Sequence, residues 1–210
     1  MIVDAMRLLD YMQAQRLLSR YGIRSVDSKY VTSADDAASF AGGDAIVLKV
    51  ISDKALHKAS HGLVALNLNS EEKVRASYRA LERKARGLSP YKVLAQRMVG
   101  KGIEIIVGGK TDPQFGKLLL IGLGGTYVET FKDFALRVCP IGRSEAQSML
   151  SQLKSSKIIA PDDRAERMIM TLLENASRLF LENKMDELDL NPIILHDGTY
   201  DAVDLRMLFQ

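Results

Sequence analysis

The chain has 210 residues, 47% hydrophobic and 26% charged, and a net charge of +3 from 29 basic and 26 acidic side chains. That composition describes a soluble protein long enough to bury a core, as one large domain or two small ones. The small, evenly spread charge argues against a nucleic-acid surface, the single cysteine excludes an internal disulfide and fits a reducing compartment, and no apolar run nears the ~20 residues that cross a bilayer.

Residues 4–21 read as a helix with Leu8, Leu9, Ala14, Leu17 and Leu18 on one side, ended by Gly22. "RSVDSKYVT" alternates as a strand does, and "SADDAASFA" is a short helix opened by Ser33. "AIVLKVI" is a buried strand, followed by the polar loop "SDKALHKASHG" and a further strand, "LVALNL". Asn69, with Glu72 three residues on, predicts a capping box for a helix whose stripe is Val74, Tyr78, Leu81 and Ala85. The basic run "RALERKAR" on that helix reads as a solvated face. "YKVLAQRMV" is a strand, and "IEIIVGGKTDPQFGKLLLIGLGG" is two strands joined at Asp112-Pro113. "YVETFKDFALRVCPI" continues as sheet or loop.

Ser144 with Gln147 predicts a second capping box, with Ala146, Met149, Leu150 and Leu153 as the stripe. Pro161, Asp162 and Asp163 open a long helix over Ala165, Met168, Ile169, Leu172, Ala176 and Leu179. Two strands close the chain around the turn His196-Asp197-Gly198. The mixture of helices and hairpins predicts an α+β fold. A soft boundary near residues 92–101 predicts an N-terminal lobe over 1–95 and a C-terminal lobe over 96–210, with a cleft between them suited to a ligand.

The final stretch, "ELDLNPIILHDGTYDAVDLRM", carries an unusual load of acids for strands that enter a core. Alternation puts Glu187, Asp189 and Asn191 on one face, and an antiparallel return brings Asp204 and Arg206 to it. Such carboxylates repel one another unless something offsets them. A hard cation would, and an all-oxygen donor set suits Mg²⁺ shared with phosphate. The competing reading is an exposed strand face with a salt bridge to Arg206. Lys49, inside a buried strand, needs either an anion or a route to the strand end.

"VLKVISDKALHK", "GIEIIVGGKTDPQFGKLLLIGLGG", "ALRVCPI" and "ELDLNPI…AVDLRM", in this order, resemble the ATP-grasp (β) subunit of ADP-forming acetyl-CoA and acyl-CoA synthetases, in the succinyl-CoA synthetase superfamily. The resemblance runs over roughly residues 8 to 209. It implies an ATP-grasp fold of two α+β lobes with a nucleotide cleft, and ADP or ATP with Mg²⁺ as ligands. It implies further that Lys49 contacts nucleotide phosphates, that the hinge backbone at Met98 and Val99 meets the adenine, and that Glu104 and Arg137 line the phosphate cleft. Asn191 and Asp204 match the Mg²⁺ ligands, with Asp189 beside them.

By the same resemblance His57 matches the histidine that takes a phosphoryl group and hands it to ADP, chemistry a neutral imidazole supports near pH 7. His61 has no counterpart and reads as polar loop; His196 reads as exposed. The family loop continues "HKSDxGGV" where this chain has "HKASHGLV". Ser60 and Leu63 thus replace an Asp and a Gly, and a leucine side chain restricts backbone approach to phosphate. "GLGGT" is a tight turn at a sheet edge, or a surface near the phosphates or a partner.

The expected function is the nucleotide-binding subunit of an acid–thiol ligase. It would work in the cytoplasm with a CoA-binding α subunit (two of each), because nothing in the chain resembles a CoA-binding fold. The alternative is a non-catalytic nucleotide-binding module, a sensor or scaffold. A carboxylate–amine ligase fits the "DPQFG" block poorly.

Overall fold

Asp10 starts the first helix, and it does so later than the apolar spacing suggests. In this computed structural model, which describes residues 7–52, 62–125 and 133–209, Arg7–Leu8 is a short strand (β1) and helix α1 spans Tyr11–Arg20. The Asp10 carboxylate accepts the Met12 N–H at 3.0 Å, which fixes the first turn. β1 pairs with the last strand of the chain, so residues 7–8 satisfy their backbone in a sheet instead of a helix. At the other end Gly22 takes φ +70°, and the Ile23 N–H closes on the Leu18 carbonyl.

The chain divides into two units, one running Val26–Val99 and the other joining Met1–Ser25 to Gly100–Gln210. A single lobe over residues 1–95 would group α1 with residues 26–95. The structure instead packs α1 on the larger unit, where the Tyr11 hydroxyl donates to the Val203 carbonyl at 3.0 Å.

The smaller unit contains β2 (Ser28–Val31), α2 (Ala34–Ala41), β3 (Ile46–Ile51), β4 (Val64–Leu68), α3 (Glu71–Ala85) and β5 (Lys92–Arg97). Its sheet has the order β2-β5-β3-β4, every pair antiparallel. Ser33 caps α2 by accepting the Asp36 N–H, as the sequence suggests. The cap of α3 is Ser70, one residue beyond the expected Asn69; its hydroxyl accepts the Lys73 N–H, while Asn69 holds the Lys73 ammonium instead. The stripe Val74, Tyr78, Leu81 and Ala85 is buried, and it packs with Ile46, Leu48 and Val93 into this unit's core. Each of the Val, Leu and Ile side chains among them contributes roughly 1.5–3 kcal/mol by leaving water.

The larger unit continues with β6 (Ile103–Asp112), β7 (Gly116–Leu123), β8 (Phe134–Val138), α4 (Arg143–Gln152), α5 (Ser156–Ile159), α6 (Asp163–Glu182), β9 (Met185–His196), β10 (Thr199–Ala202) and β11 (Leu205–Phe209). Its antiparallel sheet has the order β1-β11-β9-β6-β7-β8, with β10 also on β9. The β6–β7 turn falls at Asp112, whose carboxylate accepts the Gln114 and Phe115 N–H groups. The expected capping box at Ser144 does not form. Gly142 occupies the N-cap, and the Ser144 hydroxyl bonds to its neighbour Glu145. The apolar stripe of α4 is nevertheless buried as read.

Helix α6 is capped by Asp162, which accepts the Ala165 N–H at 2.8 Å. It buries Met170, Leu173 and Phe180 in addition to the predicted Ile169, Leu172, Ala176 and Leu179. Phe180 explains Gly109 in β6: a Cβ there would lie 3.0 Å from the ring. The closing hairpin is three strands, not two. β10 pairs with the upper half of β9 and β11 with its lower half, and Val203 and Asp204 lie between them. No helix among the described residues is long and apolar enough to cross a membrane.

Candidate functional site

Antiparallel partners share a face, so the register alone sorts the larger sheet into two sides. Ile105, Val107, Leu119, Leu188 and Leu190 are buried against the helices. Glu104, Gly108, Lys110, Glu187, Asp189 and Arg206 stand on the other side, with Glu104 opposite Ile194, Gly108 opposite Asp189, and Asp189 opposite Arg206. Leu136 on β8 pairs with Leu120 on β7 and belongs to this side as well.

Asp204 precedes β11, and its carbonyl accepts the Asn191 N–H at 3.3 Å. Asn191 and Asp204 are therefore next to one another, as the sequence pattern required, and both are exposed. Burial, reinforced by the negative charge of Asp204, raises the Asp189 carboxyl above its ordinary value; Arg206 pulls the other way and Glu187 adds to the rise. Two carboxylates that repel through this geometry, beside an amide, form an oxygen-only set. That chemistry fits Mg²⁺, which keeps waters and shares phosphate oxygens. No group of three His, Cys, Asp or Glu side chains able to enclose a metal occurs among the described residues.

Glu104 borders a cavity of about 1000 Å³ in the larger unit, lined also by Gly102, Gly124, Gly125, Asp133 and Lys154. The glycines of "GLGG" have a steric reason to be there. The Gly124 N–H donates to the Glu104 carbonyl at 2.7 Å, and a Cβ on Gly124 would lie 2.9 Å from the Glu104 carbonyl carbon. Gly125, at φ +72°, brings its backbone against the Glu104 carboxylate, where a Cβ would sit 3.0 Å from Oε2. The segment read as an edge turn, or as a surface near the phosphates or a partner, packs its Gly124 and Gly125 against Glu104.

Arg137 is placed differently from Glu104. It pairs with the buried Leu119, on the helix-packed side of β8, and donates to Ser148 Oγ of α4 at 3.1 Å and to the Leu136 carbonyl. The structure does not bring it to the face that carries Glu104 and Asp189.

Lys49 lies on β3, between Leu94 of β5 and Val64 of β4, and is half-buried. Met98 donates its N–H to the Ala45 carbonyl at 2.9 Å and leaves its side chain exposed. Val99 ends the smaller unit and Gly100 resumes the larger. His57 and His61 lie outside the described residues. His196 is not an exposed turn residue: its side chain is largely covered, and Nε2 lies 2.9 Å from the Asp201 carboxylate, which also pairs with Arg24.

One residue of the cavity has no signal in the sequence. Asp133 accepts the N–H groups of Lys154 and Ser155 at 2.9 and 2.8 Å and so organises one wall. Burial works against its ionisation, but these bonds outweigh it and hold the carboxyl below its ordinary value. Arg206 is expected on the acidic face from alternation, but only the strand register shows that Asp189 is the residue directly opposite it.

The ATP-grasp domain description matches residues 2–209. The β subunit of acetate–CoA ligase [ADP-forming] I from Pyrococcus furiosus is 33% identical over 208 residues, covering 93% of this chain and 89% of that protein. Other relatives, such as acetate–CoA ligases [ADP-forming] of Archaeoglobus fulgidus, are longer chains, of which this one spans 30%. A solved structure of Ca. Korarchaeum cryptofilum acetyl-coenzyme A synthetase 1, in complex with coenzyme A and Ca-AMPCP, superposes with a TM-score of 0.88 at 34% identity, covering 97% of this chain and 94% of that one. Another structure of that enzyme, with coenzyme A and Mg-AMPPCP and its phosphohistidine segment pointing towards the nucleotide binding site, gives a TM-score of 0.82 at 33% identity, covering 97% and 93%.

Proposed function

The chain belongs to the ATP-grasp domain family and adopts its fold, and from that premise we propose that it is the nucleotide-binding β subunit of an ADP-forming acyl-CoA synthetase. The reaction is acyl-CoA + ADP + phosphate giving acid + ATP + CoA, that of an acid–thiol ligase. A CoA-binding α subunit acts on the thioester, a division of labour supported by the similarity to a β subunit of Pyrococcus furiosus. Two of each subunit form the assembly, which works in the cytoplasm. The phosphoryl group passes from a phosphohistidine of the partner to a His57 ring nitrogen: the partner's N–P bond breaks as the His57 N–P bond forms, and the partner's imidazole is released. Attack by the terminal oxygen of ADP breaks the His57 N–P bond and returns that imidazole to its starting state.

Within this reading Lys49 contacts the nucleotide phosphates, the backbone at Met98 and Val99 meets the adenine, and Glu104 holds the nucleotide on the larger unit. Asn191 and Asp204 hold Mg²⁺, with Asp189 beside them. The cation supplies neutralisation of phosphate charge. Arg137, anchored to α4, supports β8 in place of a direct phosphate contact. The observation that carries the proposal is the meeting of Asn191 and Asp204 at the break between β10 and β11, on a chain that matches a β subunit over 89% of its length.

The test uses the chain with terminally labelled ATP and Mg²⁺. The protein should acquire an acid-labile, base-stable phosphate that His57→Asn abolishes. A wild type that takes no label, with a CoA-binding partner present, would leave the non-catalytic module as the better reading. The substitutions at Ser60 and Leu63 favour that second reading, and under it ADP still raises the melting temperature.

A further inference from the structure

The chain enters the smaller unit at Val26 and leaves it at Val99. A buried polar relay ties the entering segment to the leaving one. Ser28 on β2 and Gln96 on β5 are cross-strand partners, 6% and 1% exposed. The Gln96 Nε2 donates to the Ser28 Oγ at 3.1 Å, and that hydroxyl donates to the Val26 carbonyl at 2.8 Å. The next two residues are held as well. Arg97 donates its N–H to the Asp27 carbonyl and its guanidinium to the Ala41 carbonyl and the Asp44 carboxylate. Met98 donates its N–H to the Ala45 carbonyl at 2.9 Å. With that N–H committed, the backbone groups left for a base begin at the Met98 carbonyl. Gln96 also lies opposite Val47, two residues along β3 from Lys49. It therefore shares the Lys49 side of the sheet, about 7 Å along it.

We propose that Ser28 and Gln96 are positioning residues for base recognition: their relay sets the hinge backbone at Met98 and Val99 so that it takes adenine in preference to a purine with a carbonyl at its 6-position. The inference rests on the reading of that hinge as the adenine site. Adenine presents an amino donor beside a ring-nitrogen acceptor, and hypoxanthine presents a carbonyl acceptor beside an N–H donor. A backbone carbonyl followed by an N–H matches the first order and opposes the second, provided both groups are held at hydrogen-bonding distance. At 1% exposure Gln96 does not reach a ligand itself, so it acts through β5. Burying an amide and a hydroxyl costs free energy that their mutual bond offsets. In return the bond has a direction, which an apolar contact lacks, and so it fixes residues 26–28 against residues 96–98.

The experiment measures, by calorimetry on the full chain with Mg²⁺, the affinities for ADP and for inosine diphosphate. The two carry the same ribose and phosphates and differ at the edge of the base. Wild type should prefer ADP. Ser28→Ala and Gln96→Leu should each cut the preference by about threefold to tenfold, the worth of one hydrogen bond. Ser28→Thr keeps the hydroxyl and should keep the preference. Ser28→Ala leaves the Gln96 amide facing a missing partner. The double variant Ser28→Ala/Gln96→Leu removes donor and acceptor together, and it takes the place of the single variant if that one melts below the assay temperature. The ratio is the signature, because a merely structural loss weakens both nucleotides alike. A preference that survives these variants, or affinities that fall in parallel, would overturn the proposal while leaving the hinge reading standing. A wild type with no preference for ADP would overturn both.

Discussion

Asn191 donates its backbone N–H to the carbonyl oxygen of Asp204 across the closing hairpin, at 3.3 Å. This bond spans the break where the chain leaves β10 and before it enters β11. It brings an amide and a carboxylate together at a point where the backbone is not locked into a continuous ladder. Irregular backbone of this kind lets side chains aim at a ligand instead of alternating strictly in and out.

Asp204→Ala should leave the fold intact, since the residue is exposed and holds the hairpin through its backbone carbonyl, while its carboxylate accepts the adjacent Leu205 N–H at 3.1 Å, a local bond at the start of β11. It should weaken the Mg²⁺-dependent part of the stabilisation by ADP. A ligand at 100 times its dissociation constant stabilises by about 2.7 kcal/mol, and a tenfold loss of affinity removes about 1.4 kcal/mol of that. Thermal melts with ADP, with and without Mg²⁺, read the difference directly. An unchanged Mg²⁺ increment would remove Asp204 from the metal group.

Gly124→Ala forces a Cβ to within 2.9 Å of the Glu104 carbonyl carbon, which belongs to β6 backbone and cannot swing away. Overpacking of this kind costs about 1–3 kcal/mol. The variant should melt lower and bind ADP more weakly, because Glu104 moves with its strand. Gly87→Ala meets nothing within 4 Å and serves as the control, with a change near zero.

Asp133→Asn should destabilise the protein at neutral pH. The carboxylate has a depressed pKa: burial opposes its charge, but the hydrogen bonds from Ser155 and Lys154 prevail. A depressed carboxyl stabilises the fold above its unfolded value, ordinarily 3.8, and that stability disappears as pH falls through the folded value. The gap between wild type and Asp133→Asn should therefore be full near pH 7 and close progressively below pH ~4. Urea midpoints at a series of pH values give the curve. A gap that widens in acid would contradict this sign.

Asp162→Ala removes the side chain that caps α6 through the Ala165 N–H. The expected cost is about 1 kcal/mol, or a fall in melting temperature of roughly 2–4 °C for a chain of this size. Asp162→Ser should recover most of it. The helix carries much of the larger unit's core, so the loss should appear in the cooperative transition and not as local fraying.

Local chemistry was legible where one short segment contained both halves of an interaction. Ser33 and the Asp36 N–H are three residues apart, and the stripe of α3 lies on a single helix. Caps shifted where neighbouring residues competed, as at Asn69 and Ser70, because both side chains can accept and only backbone geometry chooses. Residues 4–10 looked helical by spacing alone, yet 7–8 are strand because β11 lies close enough to pair.

Apart from β1, α5 and the split of the last strand into β10 and β11, the sequence by itself determined the kinds of element, their order, and the approach of Asn191 to Asp204, since these come from periodicity, turn chemistry and strand alternation within short segments. Tertiary structure alone decided what each functional side chain faces. It set Arg206 rather than another residue opposite Asp189, turned Arg137 onto α4, seated Glu104 against Gly124, and sent α1 to the far end of the chain. The reason is that these partners are joined by register and packing between segments distant in sequence, and a shift of one residue in register moves every side chain to the opposite face.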